Sequence, residues 1–308
     1  MGLMDELRQQ WRTGGALIRL VLVNALVFVA LLLMHLVLIP IAGDRMIAEV
    51  WSEVYVMHWL QSTYVWGDVL FRPWTVITYM FVHLDFFHVF FNMLMLWFSG
   101  RLFMDLLGGK RLVGNYLLGG LAGWLFYALA YNYIPGIRGQ GDGSDILGAS
   151  ASVMAVFIGI AAYRPDMVVS LLIFGEVRLK WIALIYLVLD LVSIRQGNNS
   201  GGHLAHVGGA LYGYLAATQL KKGSDWSGAF MDQLQRIGSL FTRRKGPRLR
   251  VEKMDRRKVR VLQDSDFNAT KRAKEERVNA ILDKISRSGY DSLSKEEKDF
   301  LFRASHEQ

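Results

Sequence analysis

Residues 20–43 contain no charged side chain, and that run constrains what this chain can fold into more than any other feature. A hydrocarbon layer about 30 Å thick is crossed by roughly 20 mostly apolar residues in a helix. The run is too long for the core of a signal peptide and lacks a small-residue cleavage pattern, so residues 20–41 read as a retained first span. Five further segments qualify or nearly qualify: residues 73–100, 112–134, 147–163, 181–194 and 203–220. The fourth and sixth spans are short, and the fifth is extended only by an amphipathic lead-in at 167–180. Six spans predict an all-α polytopic membrane bundle. Composition agrees, because 52% of the 308 residues are hydrophobic, a share that soluble domains of this length rarely carry. The absence of cysteine excludes disulfides, thiolate nucleophiles and Cys-ligated metals. The Met-Gly start has Glu6 where myristoylation would want Ser or Thr.

Lys and Arg in the connections set the orientation. With the N-terminus inside, the inner segments carry Arg8, Arg12, Arg19, Arg101, Lys110, Arg111, Arg164, Arg178 and Lys180. The outer ones carry Arg45, Arg72, Arg138 and Arg195. An even number of spans puts the tail inside as well, so both termini are expected in the cytoplasm and the protein in a cell (inner or plasma) membrane.

After Leu220 the character changes twice, which divides the chain into a membrane domain (1–222), a juxtamembrane segment (223–262) and a small helical hairpin (263–308). Trp226, Phe230, Leu234, Ile237 and Phe241 recur every three or four residues, as on a helix lying along a membrane surface. A basic run follows, Arg243, Arg244, Lys245, Arg248, Arg250, Arg256, Arg257, Lys258 and Arg260. Beside a membrane such a run meets anionic lipid; with no nucleic-acid-reading module in the chain, no nucleic-acid partner is expected. Residues 269–288 are helix-forming, Gly289 is a stop, and Ser294 with Glu297 spells a capping box before Phe300 and Leu301.

Polar side chains inside spans are costly and tend to be functional. The second span holds His83, Asp85, His88 and Asn92, the fourth begins Gly148-Ala149-Ser150-Ala151, and the sixth begins His203-Leu204-Ala205-His206. These three spans run the same way, so His88, Asn92, Ser150 and His206 share one depth near the outer end. Small residues on the fourth span (Gly148, Ala151, Ala155, Gly159) and the sixth (Gly209, Gly213) let two helix backbones approach closely. Close packing would bring Ser150 within the roughly 3 Å at which a histidine serves as its base. Taken alone, Ser150 is an N-cap or packing residue; beside His206 and Asn92 it reads as a nucleophile. His203 competes with His206 as base and is placed at the aqueous rim, and His83 reads as a structural hydrogen bonder.

This constellation resembles the rhomboid family of intramembrane serine proteases. The likeness is carried by His83-Leu84-Asp85-Phe86-Phe87-His88 with Asn92, the turn at 148–151, and His206 with Gly209 and Gly213. Trp74 is similar to the tryptophan of the family's first-loop motif, and the likeness covers about residues 15–222. It implies a six-helix bundle with a cytoplasmic helical tail and a Ser–His dyad opening to the outer side. Ser150 would be the nucleophile and His206 the general base. His88, Asn92 and the Ser150 backbone N–H would hold the oxyanion. No third carboxylate is implied, a packed helix orienting the imidazole instead. The substrate would be another protein's transmembrane segment, cut near its outer end, with no cofactor and no metal. Three positions depart from the family pattern: Ala151 stands where glycine is common, Met154 where a tyrosine stacks on the histidine, and Thr75 where an arginine follows the tryptophan.

Other chemistries fare worse. Gly139-Gln140-Gly141-Asp142 spells an aspartyl-protease string but lies in a polar loop without a partner span, and His-Glu-x-x-His is absent. A zinc site from His83, Asp85, His88 and His206 is the remaining metal arrangement. The alternative from another class is a catalytically silent relative that binds transmembrane helices; a transporter would show repeated halves, and none is visible.

Overall fold

The computed structural model of the protein describes residues 14–135, 145–171, 175–194, 199–241 and 264–306, with residues 5, 9–11 and 137 in addition. Arg8, Arg12, Arg138, Arg195, the string at 139–142 and the basic run at 243–260 lie outside them. The chain forms two compact units, Met1–Arg243 and Arg244–Gln308.

The first unit is a helical bundle built around α7 (Ser150–Tyr163), whose residues 151–161 are all buried. Packed about it are α5 (Phe86–Leu107), α6 (Gly109–Tyr133), α8 (Leu179–Ile194) and α9 (Ser200–Lys221). The N-terminal α1 (Gly15–Ala42) packs on α5 and α6 and is followed by α2 (Arg45–Tyr55). Short helices α3 (Trp66–Phe71) and α4 (Thr75–Thr78) lead into α5. Three helices, α1, α5 and α6, are long and apolar enough to cross a membrane, and α7 is a shorter apolar helix. Exposed Leu, Val and Phe side chains cover α1, the start of α5 and the outer face of α8, as surfaces that meet lipid must.

Several expected boundaries move, each for a local reason. The second segment is not one helix: α4 is followed by a 3-10 turn, Tyr79–Phe81, and the chain is extended from Val82 until Asp85 caps α5 by accepting the His88 N–H at 2.9 Å. His83 and Asp85 therefore precede that helix rather than lie in it. The fourth segment becomes helical only at Ser150, because Gly148 sits at φ 113°, a left-handed conformation that a side chain would strain. Gly148 is thus a turn residue that precedes the helix rather than a member of it. The lead-in to the fifth segment is not helical either. Val168–Leu171 (β1) pairs antiparallel with Gly175–Arg178 (β2), so the all-α expectation is corrected to helices plus one two-stranded ribbon. Val168, Val169 and Val177 favour the pleated conformation, and Gly175 opens β2 at φ 67°.

The helix expected to lie on a membrane surface, α10 (Trp226–Phe241), packs on the first turns of α6. Asp225 caps it through the Gly228 N–H (2.7 Å) and bonds Arg111 (2.7 Å), and Asp232 pairs with Lys110 at 2.6 Å. A Cβ at Gly114 would run into the Ser227 carbonyl, so the two backbones touch.

The second unit is a hairpin of α11 (Asp264–Ser288) and α12 (Lys295–His306), turned at Gly289, φ 80°. Ser294 Oγ accepts the Glu297 N–H at 3.2 Å, and Glu297 accepts the Ser294 N–H at 2.7 Å and the Lys284 ammonium at 2.9 Å. Ile281 and Leu293 are its buried apolar residues among those described.

Candidate active site

The first turns of three helices meet at one cavity of about 640 Å³. Asp85, His88 and Asn92 come from α5 and its cap, Ser150 is the first residue of α7, and Asn199 and His206 come from the cap and second turn of α9. Tyr186 of α8 closes the side, and Phe87, Phe91 and Met95 line an apolar flank. Three helix N-termini aimed at one space leave it rich in partial positive charge, favourable to a developing anion.

Glycine sets how closely α7 and α9 approach. A Cβ at Gly209 would run into the carbonyl oxygen of Ala151, and one at Gly213 into that of Ala155. The backbones are in contact directly after Ser150 and one turn after His206. Across the other face of α7, Gly119 and Gly123 of α6 leave no room for a Cβ beside Ala155 and Ala151. Ser150 is therefore held by backbone contact rather than by adjustable side chains.

The turn before Ser150 is tied to its surroundings by hydrogen bonds. Ile146 exchanges backbone bonds with Ser62 (2.6 and 3.0 Å), the Gly148 N–H donates to the Tyr79 carbonyl (2.9 Å), and the Ala149 N–H donates to His83 Nε2 (3.2 Å). Non-helical backbone inside a bundle is tolerated only with such partners. His83 is completely buried and meets the His88 ring edge-to-face, at a centroid distance of 5.1 Å. A Cβ at Gly148 would lie 2.8 Å from His88 Cε1, so the glycine makes room for that imidazole. Asn92 donates one amide hydrogen to the His88 carbonyl at 2.9 Å, which leaves its second N–H for another acceptor.

Asp190 and Tyr186 are residues of the site that the sequence did not single out. Asp190 of α8 accepts from His206 Nδ1 at 2.6 Å, so a carboxylate does reach the imidazole. His203, placed at a rim by its position in the sequence, bonds the same Asp190 oxygen at 2.7 Å. Tyr186 stands in the cavity wall, whereas Met154 is buried in the core, away from it. A lone acid inside an apolar helix was the available signal, but its partners are 13 and 16 residues away in sequence. Among the described residues, Asp190, His203 and His206 form a group able to hold a metal, their ligand atoms lying within 4.8 Å of one another. The set weighed from sequence is divided instead: His83 serves the Ala149 N–H and Asp85 the start of α5.

The fold and cavity define a helical membrane protein with a serine and a histidine facing one space at the ends of touching helices. Over residues 70–222 the chain matches the Rhomboid domain family. It is 29% identical over 160 residues to "RHOMBOID-like protein 12, mitochondrial" of Arabidopsis thaliana, a match covering 49% of this chain and 48% of that protein. The chain thus spans about half the length of the curated relative it matches. Residues 263–307 match a family of unknown function, DUF6576, over the C-terminal hairpin.

Proposed function

We propose that the protein is an intramembrane serine endopeptidase that cuts transmembrane segments of other proteins near their outer end. The observation that carries this reading is the single cavity lined by Ser150, His206, His88 and Asn92. Ser150 Oγ attacks the scissile carbonyl carbon while His206 takes its proton, then returns it to the leaving amine; water repeats the cycle on the acyl-enzyme. The oxyanion accepts from the spare Asn92 amide hydrogen, from His88 and from the Ser150 backbone N–H, each such donor being worth about 100-fold or more in rate. No cofactor enters the scheme.

In this reading α1, α5, α6, α7, α8 and α9 are six spans, with both termini on the cytoplasmic side of a cell membrane. The 14-residue α7 is about 21 Å long, shorter than the hydrocarbon layer. Its first residue then lies below the membrane surface, where a substrate's helix end is reachable. The membrane domain (1–222) carries the chemistry, the juxtamembrane segment (223–262) rests its basic run on anionic lipid, and the hairpin (263–308) docks a separate partner; nucleic acid is no partner.

The test is cleavage of a fluorogenic transmembrane peptide in liposomes. Ser150→Ala and His206→Ala reduce cleavage to background without lowering thermal stability, and Asn92→Ala slows it. Cleavage by Ser150→Ala at the parent rate would overturn the serine mechanism, and a well-folded parent that cleaves nothing would leave the catalytically silent, helix-binding reading in place.

A further inference from the structure

We propose that Asp190 is the third member of a Ser150–His206–Asp190 triad and that His203 is the positioning residue that holds its carboxylate. This inference rests on the protease reading above. Asp190 is 8% exposed, in a helix whose neighbours Val188, Leu189, Leu191 and Val192 present apolar side chains outward. An acid on such a helix is costly and needs a partner. It has two, His206 Nδ1 at 2.6 Å and His203 Nδ1 at 2.7 Å, both on Oδ1.

The hydrogen bonds determine where the protons are. An ionised carboxylate only accepts, so each imidazole carries its hydrogen on Nδ1. The Nε2 of His206 is then a bare lone pair, the state required to take the proton of Ser150. Had the hydrogen sat on Nε2, the residue would be unable to act as base. The two rings meet edge-to-face at 88°, with centroids 5.5 Å apart, and His203 is not among the cavity-lining residues. His203 therefore supports the carboxylate without competing for the serine.

The arrangement also accounts for charge. When His206 takes the proton from Ser150 Oγ, an imidazolium forms. Asp190 keeps its negative charge, accepts no proton, and faces the new cation across the 2.6 Å bond. In the resting state its second oxygen, Oδ2, is buried without a hydrogen-bond partner. The His203 N–H is thus the other donor that holds the carboxylate ionised before the reaction begins.

The experiment measures kcat and KM on the full-length protein for the parent, Asp190→Asn, Asp190→Glu and His203→Ala. It also records ¹⁵N histidine spectra of the parent. The expected result for Asp190→Asn is a kcat lower by about 10²- to 10⁴-fold at unchanged KM, since asparagine can donate to Nδ1 and fix the wrong tautomer. Asp190→Glu restores part of kcat, and His203→Ala lowers it less than Asp190→Asn does. The parent spectrum shows His206 protonated on Nδ1 and bare on Nε2. Asp190→Asn turning over within about threefold of the parent overturns the inference. So does a His206 carrying its hydrogen on Nε2, a readout that stands even where a variant fails to fold. Loss of cleavage in Ser150→Ala with retention in Asp190→Asn defeats the triad alone; retention in Ser150→Ala defeats the protease reading beneath it.

Discussion

The α7–α9 contact and the C-terminal hairpin are both pairs of packed helices, and they are held by opposite means. In the first, glycines bring backbone against backbone, with Gly209 and Gly213 under the carbonyls of Ala151 and Ala155. Nothing there can flex to admit an atom. In the second, the chain is positioned from its ends, by the Ser294–Glu297 box and the Lys284 ion pair over a small apolar contact. The first arrangement holds Ser150 in place; the second suits an appendage whose surface is mostly exposed. The difference teaches that rigidity in this molecule is concentrated beside the cavity, and it predicts where substitutions hurt.

The largest effect belongs to Gly209→Val. The new side chain meets a backbone carbonyl, so the helices must part; overpacking of this kind costs about 1–3 kcal/mol or more, a shift of roughly 4–10 °C in thermal midpoint in detergent. Cleavage falls to background with it. A midpoint unchanged by the valine would break the comparison at its stronger end. Next is truncation. Removing residues 223–308 strips α10 from α6, with its bonds to Arg111 and Lys110, and lowers the midpoint. Removing only residues 244–308 leaves midpoint and cleavage as in the parent. Equal behaviour of the two truncations would show that α10 adds nothing to the bundle.

A polar example leaves the backbone contact intact. The Tyr116 hydroxyl donates to the buried Met80 carbonyl at 2.9 Å and accepts from Asn24 at 3.2 Å. Tyr116→Phe takes this donor from the Met80 carbonyl and one of two acceptors from the Asn24 amide, which keeps the Leu20 carbonyl at 2.9 Å, and costs about 1–3 kcal/mol by chemical or thermal unfolding. The smallest effect is in the hairpin, where Ser294→Ala costs about 0.5–2 kcal/mol, read as lost hydrogen-exchange protection of the Lys295–His306 amides with the bundle untouched. Those amides also report pH. The Ser294 backbone N–H, and then Lys284, hold the Glu297 carboxyl below the usual glutamate range. A lowered folded-state value stabilises above the ordinary glutamate pKa and is lost as pH falls through the folded one. Protection of α12 therefore declines below that range; protection that rises on acidification would contradict the capping account.

How much of this was legible in the sequence follows from the same contrast. The hairpin turn at Gly289 and the Ser294 cap are local features, and local spacing is sufficient to locate them. The long apolar runs of α1, α5 and α6 are local as well. His88, Asn92, Ser150 and His206 could be assigned to one depth because helix direction alternates, and the structure lines one cavity with them. What the sequence obscured depends on contacts across the fold. The helical period at 167–180 hid a ribbon formed by pairing β1 with β2. That Gly148 precedes its helix at a positive φ depends on the wired turn around it. Asp190 was one acid in an apolar run, and only the packing of α8 on α9 brings it to two histidines.

The most direct test of the account is labelling of the purified, folded protein with a fluorophosphonate or isocoumarin serine-hydrolase probe, alongside Ser150→Ala. The account predicts covalent labelling of the parent that vanishes in the variant. Well-folded parent protein that no such probe labels, or label that persists in Ser150→Ala, would contradict it.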